Sequence, residues 1–211
     1  MEIPAEIQEQ VKQELSSLKE NVTIKVFTKE NCDFCHDTIE LTTAVAELSE
    51  KVKSENFDIE KNTDIAKKYQ IDQTPAILVH SDSNEYPIRF YGIPAGYEFS
   101  SLIESIKFAG TGEHDLPSDV VEKVKSINSP KKIQAFVTVS CPYCPAAVTT
   151  AFKFAMVNPE FIQAQMVEAS QFPELSSKFG VRAVPKVIIN EGESFEGSLP
   201  VEKYLEKVLQ G

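Results

Sequence analysis

Apolar residues at helical spacing open the chain and recur just past its midpoint. In each place a proline lies in the pattern, as expected for the first turn of a helix, where its missing N–H is not needed. The two sets are Ile3, Pro4, Ile7 and Val11, and Leu116, Pro117, Val120 and Val124. The pattern predicts that each half of the chain starts with an amphipathic helix.

A predicted strand follows each of these helices. Residues 22–28 and 133–139 are rich in β-branched and aromatic side chains, which favours β-strands. Both strands lead directly into a Cys-x-x-Cys sequence, at Cys32 and at Cys141. The two halves therefore place the same motif after the same element.

A second helical pattern follows each cysteine pair. After the first pair, apolar or small residues recur every three or four positions from Phe34 to Val52, which predicts one long amphipathic helix. The helix after the second pair is expected to begin at Pro142 and to continue through Ala155.

The remainder of each half also matches. Residues 66–75 align without gaps on residues 176–185, and each segment ends in a proline before a predicted strand, 76–79 or 186–189. The proline follows the first cysteine of its half by 43 residues in one case and 44 in the other. This register indicates an internal repeat.

The repeat predicts an α/β protein with two tandem units, each a mixed β-sheet flanked by helices and preceded by an extra N-terminal helix. A Gly-rich segment at 109–115, near the midpoint, indicates a loop between them. We therefore expect one unit in residues 1–112, with a Cys-Asp-Phe-Cys pair, and a second in residues 113–211, with a Cys-Pro-Tyr-Cys pair.

Net charge narrows the range of partners. The 211 residues include 21 basic and 32 acidic side chains, a formal charge of -11 at pH 7, which repels nucleic acid and anionic lipid. No apolar run approaches the roughly 18 residues that cross a bilayer, and the acidic N-terminus lacks the apolar stretch of a secretory signal. We expect a cytoplasmic protein that binds neither nucleic acid nor membranes.

The four cysteines are too few for a disulfide scaffold, and they form two identical spacings. Where a strand meets a helix, the unpaired N–H groups of the first helical turn favour a thiolate and lower a thiol pKa from about 8.5 to between about 3.5 and 7.5. Cys32 and Cys141 are therefore the expected nucleophiles. Cys35 and Cys144, three positions later, lie within reach of them and are the expected resolving thiols.

An X-Pro pair precedes a strand in each half, at Thr74-Pro75 and Val184-Pro185. This arrangement is compatible with a cis peptide bond, which is uncommon elsewhere, although the sequence leaves the isomer open. In the cis form, the backbone N–H and C=O before each proline would be free to pair with an extended substrate peptide.

Together these features resemble the order of elements in thioredoxins and glutaredoxins, and Cys-Pro-Tyr-Cys at 141–144 is typical of glutaredoxins. Two such units in one short chain, with residues 91–99 closing the first, resemble the protein disulfide oxidoreductases of thermophilic archaea and bacteria. The resemblance covers nearly the whole chain.

The resemblance implies two thioredoxin-like units that reduce, form or isomerise disulfides in protein substrates. No bound organic cofactor is needed, because the cysteines hold the electrons, and the implied electron partner is a flavoprotein of the thioredoxin reductase kind. The residues with an implied redox role are Cys32, Cys35, Cys141 and Cys144, and those with an implied substrate-binding role are Thr74, Pro75, Val184 and Pro185.

Two thioredoxin features are absent. Asn31 and Ser140 stand where thioredoxins have a Trp before the pair, and Val26 and Ala135 stand where they have a buried Asp. The proton acceptor for the resolving thiol is therefore unidentified. Three candidates are each expected to be solvated charges, since acidic side chains are seldom buried. They are Glu30, Glu60 and Glu168.

Three alternatives stay open. The four cysteines can form a zinc-binding or holdase module without redox turnover, although zinc pairs usually lie in turns and these pairs open helices. The protein can also be a dedicated electron carrier for a single target such as a peroxidase. His36 lies one helical turn after Cys32 and could stabilise its thiolate, although a histidine in this position is more often exposed.

Local charge differs between the two pairs. Glu30, Asp33 and Asp37 surround the first pair, whereas residues 138–149 contain no charged side chain. Because nearby negative charge disfavours a second anion, we predict the lower thiol pKa at Cys141 and the more oxidising potential for its pair.

Overall fold

The structure, a computed structural model, describes residues 3–211 and divides them into two compact units. Besides the described residues up to Glu85, the first unit contains Phe90–Ile93 and Ile103–Glu113. The second unit contains Tyr86–Arg89, Pro94–Leu102 and His114–Gly211. Two short stretches before residue 112 thus group with the second unit, and the boundary at 112/113 stays a prediction of the sequence.

Helices and strands alternate along both halves. Within residues 3–211 the helices are α1 (Ala5–Leu15), α2 (Cys35–Ala46), α3 (Thr63–Lys68), α4 (Phe99–Thr111), α5 (Ser118–Lys125), α6 (Cys144–Val157), α7 (Pro173–Lys178) and α8 (Val201–Gln210), with a 3-10 turn at Gly96–Glu98. The strands are β1 (Val22–Thr28), β2 (Val52–Asp58), β3 (Ala76–Ser81), β4 (Ile88–Tyr91), β5 (Lys131–Val137), β6 (Ile162–Glu168), β7 (Lys186–Ile189) and β8 (Glu193–Glu196). The predicted α/β class is confirmed.

The two units repeat one sheet arrangement. In the first half of the chain the order is β2-β1-β3-β4, and in the second half it is β6-β5-β7-β8. In each unit the strand before the cysteine pair, β1 or β5, is parallel to the next strand along the chain and antiparallel to the one after the X-Pro pair. A parallel neighbour requires a crossover, which α2 and α6 provide. The helix after each cysteine pair is therefore held against the sheet.

The loop before each X-Pro pair begins with the same helix end. Gln70 and Gly180 both have positive φ, 53° and 58°, which ends α3 and α7 as a left-handed residue usually does. The next residue then donates its N–H back into the helix, from Ile71 to the carbonyl of Ala66 at 2.9 Å in the first unit. The same type of helix cap therefore leads the chain toward the X-Pro pair in each unit.

Two helix limits differ from the sequence prediction. The pattern from Phe34 to Val52 was expected to be one helix, but α2 ends at Ala46, and Val52 begins β2 opposite Val22. Val52 is buried as part of the sheet. It continues the apolar spacing of the helix, although it is not a residue of the helix. Likewise α6 begins at Cys144 and not at Pro142, because the preceding residues form a turn in which Cys144 N–H donates to the Cys141 carbonyl at 3.4 Å.

Within the part of the chain that the structure describes, no helix combines the length and the apolar character that crossing a membrane requires.

Candidate active site

The first cysteine pair lies between β1 and α2. Cys32 and Cys35 are joined in a disulfide with their Cα atoms 5.4 Å apart. Cys35 is the first residue of α2 and is buried, whereas Cys32 lies in the preceding turn and is half-buried. Phe34, between them, is partly exposed. The cysteine that precedes the helix is thus the more accessible of the two, as attack on an external disulfide requires.

The second pair repeats this geometry in a more enclosed setting. Cys141 and Cys144 form a disulfide with a Cα separation of 5.5 Å. Cys144 begins α6 and has no exposed surface, while Cys141 is 8% exposed. Tyr143 stands out at 71% exposure. An aromatic side chain therefore marks the surface beside each disulfide.

All four cysteines are paired two by two within their own motifs. Among residues 3–211, no cluster of three or more His, Cys, Asp or Glu side chains has the geometry of a metal site.

Both X-Pro bonds are cis, the isomer that the sequence left open. The carbonyls of Pro75 and Pro185 accept hydrogen bonds from the N–H groups of Gly92 and Gly197, at 2.9 and 2.8 Å. The residues before the prolines, Thr74 and Val184, make no backbone hydrogen bond with any residue in the described part of the chain. Each site thus has a free peptide group next to its proline.

The candidate proton acceptors from the sequence have different environments. Glu30 and Glu60 are exposed, as expected. The expectation for Glu168 was wrong, because this side chain is 1% exposed. Ser170 Oγ and the Gln171 N–H donate to its Oε2 at 2.6 and 2.8 Å. These two bonds satisfy the carboxylate and organise the turn before α7, which explains its burial without a catalytic role.

Glu98 is a buried carboxyl group that the sequence reasoning missed. It has no exposed surface, and Ser101 Oγ donates to its Oε2 at 2.7 Å. Its Oε1 has no hydrogen-bond partner among the described residues. Burial raises its pKa from 4.5 to about 7, although the hydrogen bond from Ser101 acts in the opposite direction.

Glu98 lies on the side of the second unit that carries the second pair. Its 3-10 turn contacts α6, the helix that starts at Cys144. The neighbouring Tyr97 donates its N–H to the carbonyl of Val139 at 2.9 Å, two residues before Cys141. A sequence signal existed, since Glu98 stands four residues before Leu102, eight before Ile106 and in the same stripe of buried helical positions.

His36 is 79% exposed, and its Nε2 lies 3.2 Å from Oε1 of Glu40, one helical turn later. The structure therefore favours the exposed interpretation of this histidine over a role at the Cys32 sulfur.

The difference in local charge between the two pairs is present in the structure. Two further effects, however, act against the lower thiol pKa that we predict for Cys141. The thiolate of Cys141 would be more buried than that of Cys32, and burial disfavours the charged form. Ionised Glu98 would also add negative charge on that side. The predicted order of the two thiol pKa values therefore stays a prediction that alkylation rates against pH in single-pair variants can test.

The comparisons with known proteins agree with this geometry. A thioredoxin domain family matches residues 131–210. The NADH dehydrogenase of Bacillus subtilis is 26% identical over the whole chain, and an alkyl hydroperoxide reductase protein of Staphylococcus aureus, the F component, is 25% identical over 97% of it. The chain spans only 39% and 37% of the length of these relatives.

A solved structure extends the similarity to the fold. The protein disulfide oxidoreductase from Aeropyrum pernix superimposes with a TM-score of 0.90 and 27% identity, covering 99% of this chain and 93% of its own. The predicted resemblance is therefore found along the full length of the chain, with both cysteine pairs in position, and the chain consists of two thioredoxin-like units.

Proposed function

We propose that this protein catalyses dithiol-disulfide exchange on protein substrates at two sites. One observation carries the proposal: in each unit a closed cysteine pair opens a helix, and the same unit contains an X-Pro turn whose preceding peptide group has no internal partner. The first feature supplies a nucleophile and the second supplies a place for a substrate backbone.

In the reducing direction, each site would act through two displacements. The thiolate of Cys32 or Cys141 bonds to one sulfur of the substrate disulfide, whose S–S bond breaks and releases the other sulfur as a thiolate. Cys35 or Cys144 then attacks the mixed disulfide and releases the second substrate thiolate. Two electrons pass to the substrate, and the protein pair is left as a disulfide.

The substrate would lie as an extended segment beside each proline. Thr74 and Val184 offer their backbone N–H and C=O to it, and Pro75 and Pro185 hold these groups in place through the carbonyl bonds to the next strand segment. The Thr74 hydroxyl is itself buried and has no hydrogen-bond partner among the described residues.

Glu98 is our candidate for the proton acceptor of Cys144. A fully buried thiol is hard to ionise, because the charged form loses its hydration. A carboxyl group with a pKa of about 7, on the turn that contacts α6, can take the thiol proton near neutral pH. The first unit has no buried Asp or Glu among its described residues, so we assign proton acceptance at the first pair to solvent.

Continued turnover needs a reductant for the two pairs. We propose a flavoprotein of the thioredoxin reductase kind, which supplies two electrons to each protein disulfide. The support is the similarity to segments of the longer NADH dehydrogenase and alkyl hydroperoxide reductase chains. No organic cofactor is required in this chain under the proposal, and a cytoplasmic location stays a prediction of the sequence.

A second candidate function is electron delivery to a single peroxidase. The similarity to an alkyl hydroperoxide reductase component supports it. The two functions differ in substrate range. A dedicated carrier would support peroxide consumption by its peroxidase and would reduce insulin no faster than dithiothreitol alone.

The proposal is tested by the reduction of insulin disulfides with dithiothreitol as the electron source. We expect the wild-type protein to accelerate the reaction and the double variant Cys32→Ser plus Cys141→Ser to fall to the uncatalysed rate, because a serine hydroxyl does not ionise in this range. Each single variant keeps the activity of its other pair and serves as the control. A wild-type protein that holds stoichiometric metal and does not reduce insulin would contradict the proposal.

A further inference from the structure

A buried threonine lies in the first turn of α2, three residues after the second cysteine of the first pair. Thr38 has no exposed surface, and two of its groups bind the same acceptor. Its Oγ1 donates to the carbonyl of Phe34 at 2.7 Å, and its N–H donates to that carbonyl at 3.0 Å. The carbonyl of the peptide that joins Phe34 to Cys35 therefore accepts two hydrogen bonds.

The N–H of the same peptide belongs to Cys35 and lies at the start of the helix. In the disulfide form it donates to the carbonyl of Cys32 at 3.3 Å, which is longer than usual for such a bond. The N–H groups of His36 and Asp37 have no partner among the described residues, and the N-cap residue Phe34 makes no side-chain bond to them. The first turn thus keeps its donors for an anion at Cys32 when the disulfide is reduced.

The two ends of one peptide group affect each other. A carbonyl that accepts a hydrogen bond makes the N–H of the same amide a stronger donor, because each bond polarises the group in the same direction. The helix supplies one such bond, from the Thr38 N–H, and the Thr38 hydroxyl adds a second. This second bond favours a thiolate at Cys32, which the carboxylates of Glu30, Asp33 and Asp37 disfavour.

We propose that Thr38 is a positioning residue of the first pair, which acts through the peptide between Phe34 and Cys35 and strengthens its N–H as a donor to the sulfur of Cys32 in the reduced protein. The proposal rests on the nucleophilic role proposed above for Cys32. The Thr38 hydroxyl takes part in no bond change of the reaction. Its effect therefore lies in how readily Cys32 ionises, and through this in the rate of the first displacement.

The second unit lacks this arrangement. Ala147 stands three residues after the second cysteine there, in the position that Thr38 has in the first unit, and it has no hydroxyl. The carbonyl of Tyr143, which matches that of Phe34, accepts no hydrogen bond from the described residues. A threonine of α6, Thr149, does donate to a carbonyl one turn earlier, but that carbonyl belongs to Pro145, beyond the matching peptide. The contribution of Thr38 is therefore specific to the first pair.

The test measures the ionisation of Cys32 directly. The full chain carries Cys35→Ser, Cys141→Ser and Cys144→Ser, so that it contains one thiol, and the rate of its alkylation by iodoacetamide is recorded against pH. The profile gives two separate quantities. The thiol pKa reports the donors and charges around the sulfur, whereas the limiting rate at high pH reports how accessible the thiolate is. The charged side chains of this region are the same in every variant: Lys29, Glu30, Asp33, His36, Asp37 and Lys61.

Thr38→Val keeps the branched shape of the side chain and removes the hydroxyl. We expect alkylation at pH values below the pKa of Cys32 to slow about twofold, since a neighbouring bond changes the strength of a hydrogen bond by roughly 10–30% and bonds to charged groups are the strong ones. The limiting rate at high pH should not fall. Thr38→Ser retains the hydroxyl and should keep the wild-type pKa.

Thr42→Val is the matched control, because Thr42 is equally buried and its hydroxyl donates to the Thr38 carbonyl at 2.9 Å, one turn further from the cysteine pair. It should leave the alkylation profile of Cys32 unchanged, since the influence of a helix end falls off after the first turn.

A wild-type pKa in Thr38→Val, or an equal shift in Thr38→Ser or Thr42→Val, would overturn the role of Thr38. An unchanged pKa with a lower limiting rate would also overturn it, because the hydroxyl would then only hold the start of the helix in shape. These outcomes concern Thr38 alone. Disulfide exchange is tested separately by the reduction of insulin with the wild-type protein, and a failure there would remove the basis of both proposals.

Discussion

Replacing Glu98 with Gln is expected to slow the resolving step at the second pair about hundredfold at pH 8, because general base catalysis commonly contributes at least that factor. The amide cannot take the proton of Cys144, whose thiol is fully buried. The rate against pH should also lose the inflection near 7 that the raised pKa of Glu98 implies. The measurement is the release of the second thiol from a mixed disulfide at Cys141, in protein that keeps only this pair.

The same variant should change the pH dependence of stability. The pKa of Glu98 rises from 4.5 to about 7 on folding, so between these values the unfolded chain ionises while the folded protein keeps its proton. Folding therefore loses stability as pH rises through this window, fully so above pH 7. At 1.36 kcal/mol per pKa unit, the loss is about 3 kcal/mol. The free energy of unfolding of Glu98→Gln relative to wild type should rise by that amount from pH 4 to pH 8.

Glu202→Gln provides the control, because Glu202 is exposed in the same unit. It should leave both the resolving rate and the pH dependence of unfolding close to wild type. If Glu98→Gln shows the stability change but keeps the wild-type rate and inflection, Glu98 is a buried structural carboxyl group and not the proton acceptor.

Replacing Gly96 with Ala is expected to lower the free energy of unfolding by about 3 kcal/mol, which places it among the severe single substitutions. Gly96 has a φ of 59°, where a side chain costs about 1 kcal/mol or more. A Cβ there would also overlap the backbone carbonyl oxygen of Val139, which accepts the hydrogen bond from Tyr97. Both that bond and the chain before Cys141 would have to move. Urea unfolding measures the loss.

Gly112→Ala separates the two causes. Gly112 has a similar φ of 67°, but no atom lies within 4 Å of the place where its Cβ would stand. We expect a loss of about 1 kcal/mol from the backbone conformation alone. Equal losses for the two variants would mean that the contact with Val139 does not carry the effect.

Most of the fold could be predicted from local patterns. β1 and β7 were predicted with the limits that the structure shows, 22–28 and 186–189. The end of α2 could not, because the apolar spacing continued to Val52 while the chain changed to a strand. The spacing of apolar residues alone does not show where a helix ends, when the strand that follows places its first buried residue at a helical interval.

The charged residues show most clearly what local sequence patterns could not predict. Glu168 was expected in solvent and is buried because a serine hydroxyl and a backbone N–H reach its carboxylate. Glu98 was not considered, and its burial is what makes it our candidate for the proton acceptor at the second pair. Nothing in the sequence around Glu168 predicts its burial, and for Glu98 the signal was its helical spacing to the apolar residues Leu102 and Ile106.

The sequence by itself determined the repeat, the two cysteine pairs at strand-to-helix junctions and the two X-Pro turns, since each depends on residues close together in the chain. Only the tertiary structure decided that Glu98 is buried on the side of the second unit that carries the second pair, and how enclosed each disulfide is. Burial, and with it a carboxyl pKa, depends on what packs around a side chain from distant parts of the sequence. In this protein only the tertiary fold brings the turn at Gly96–Glu98 into contact with Val139 and α6.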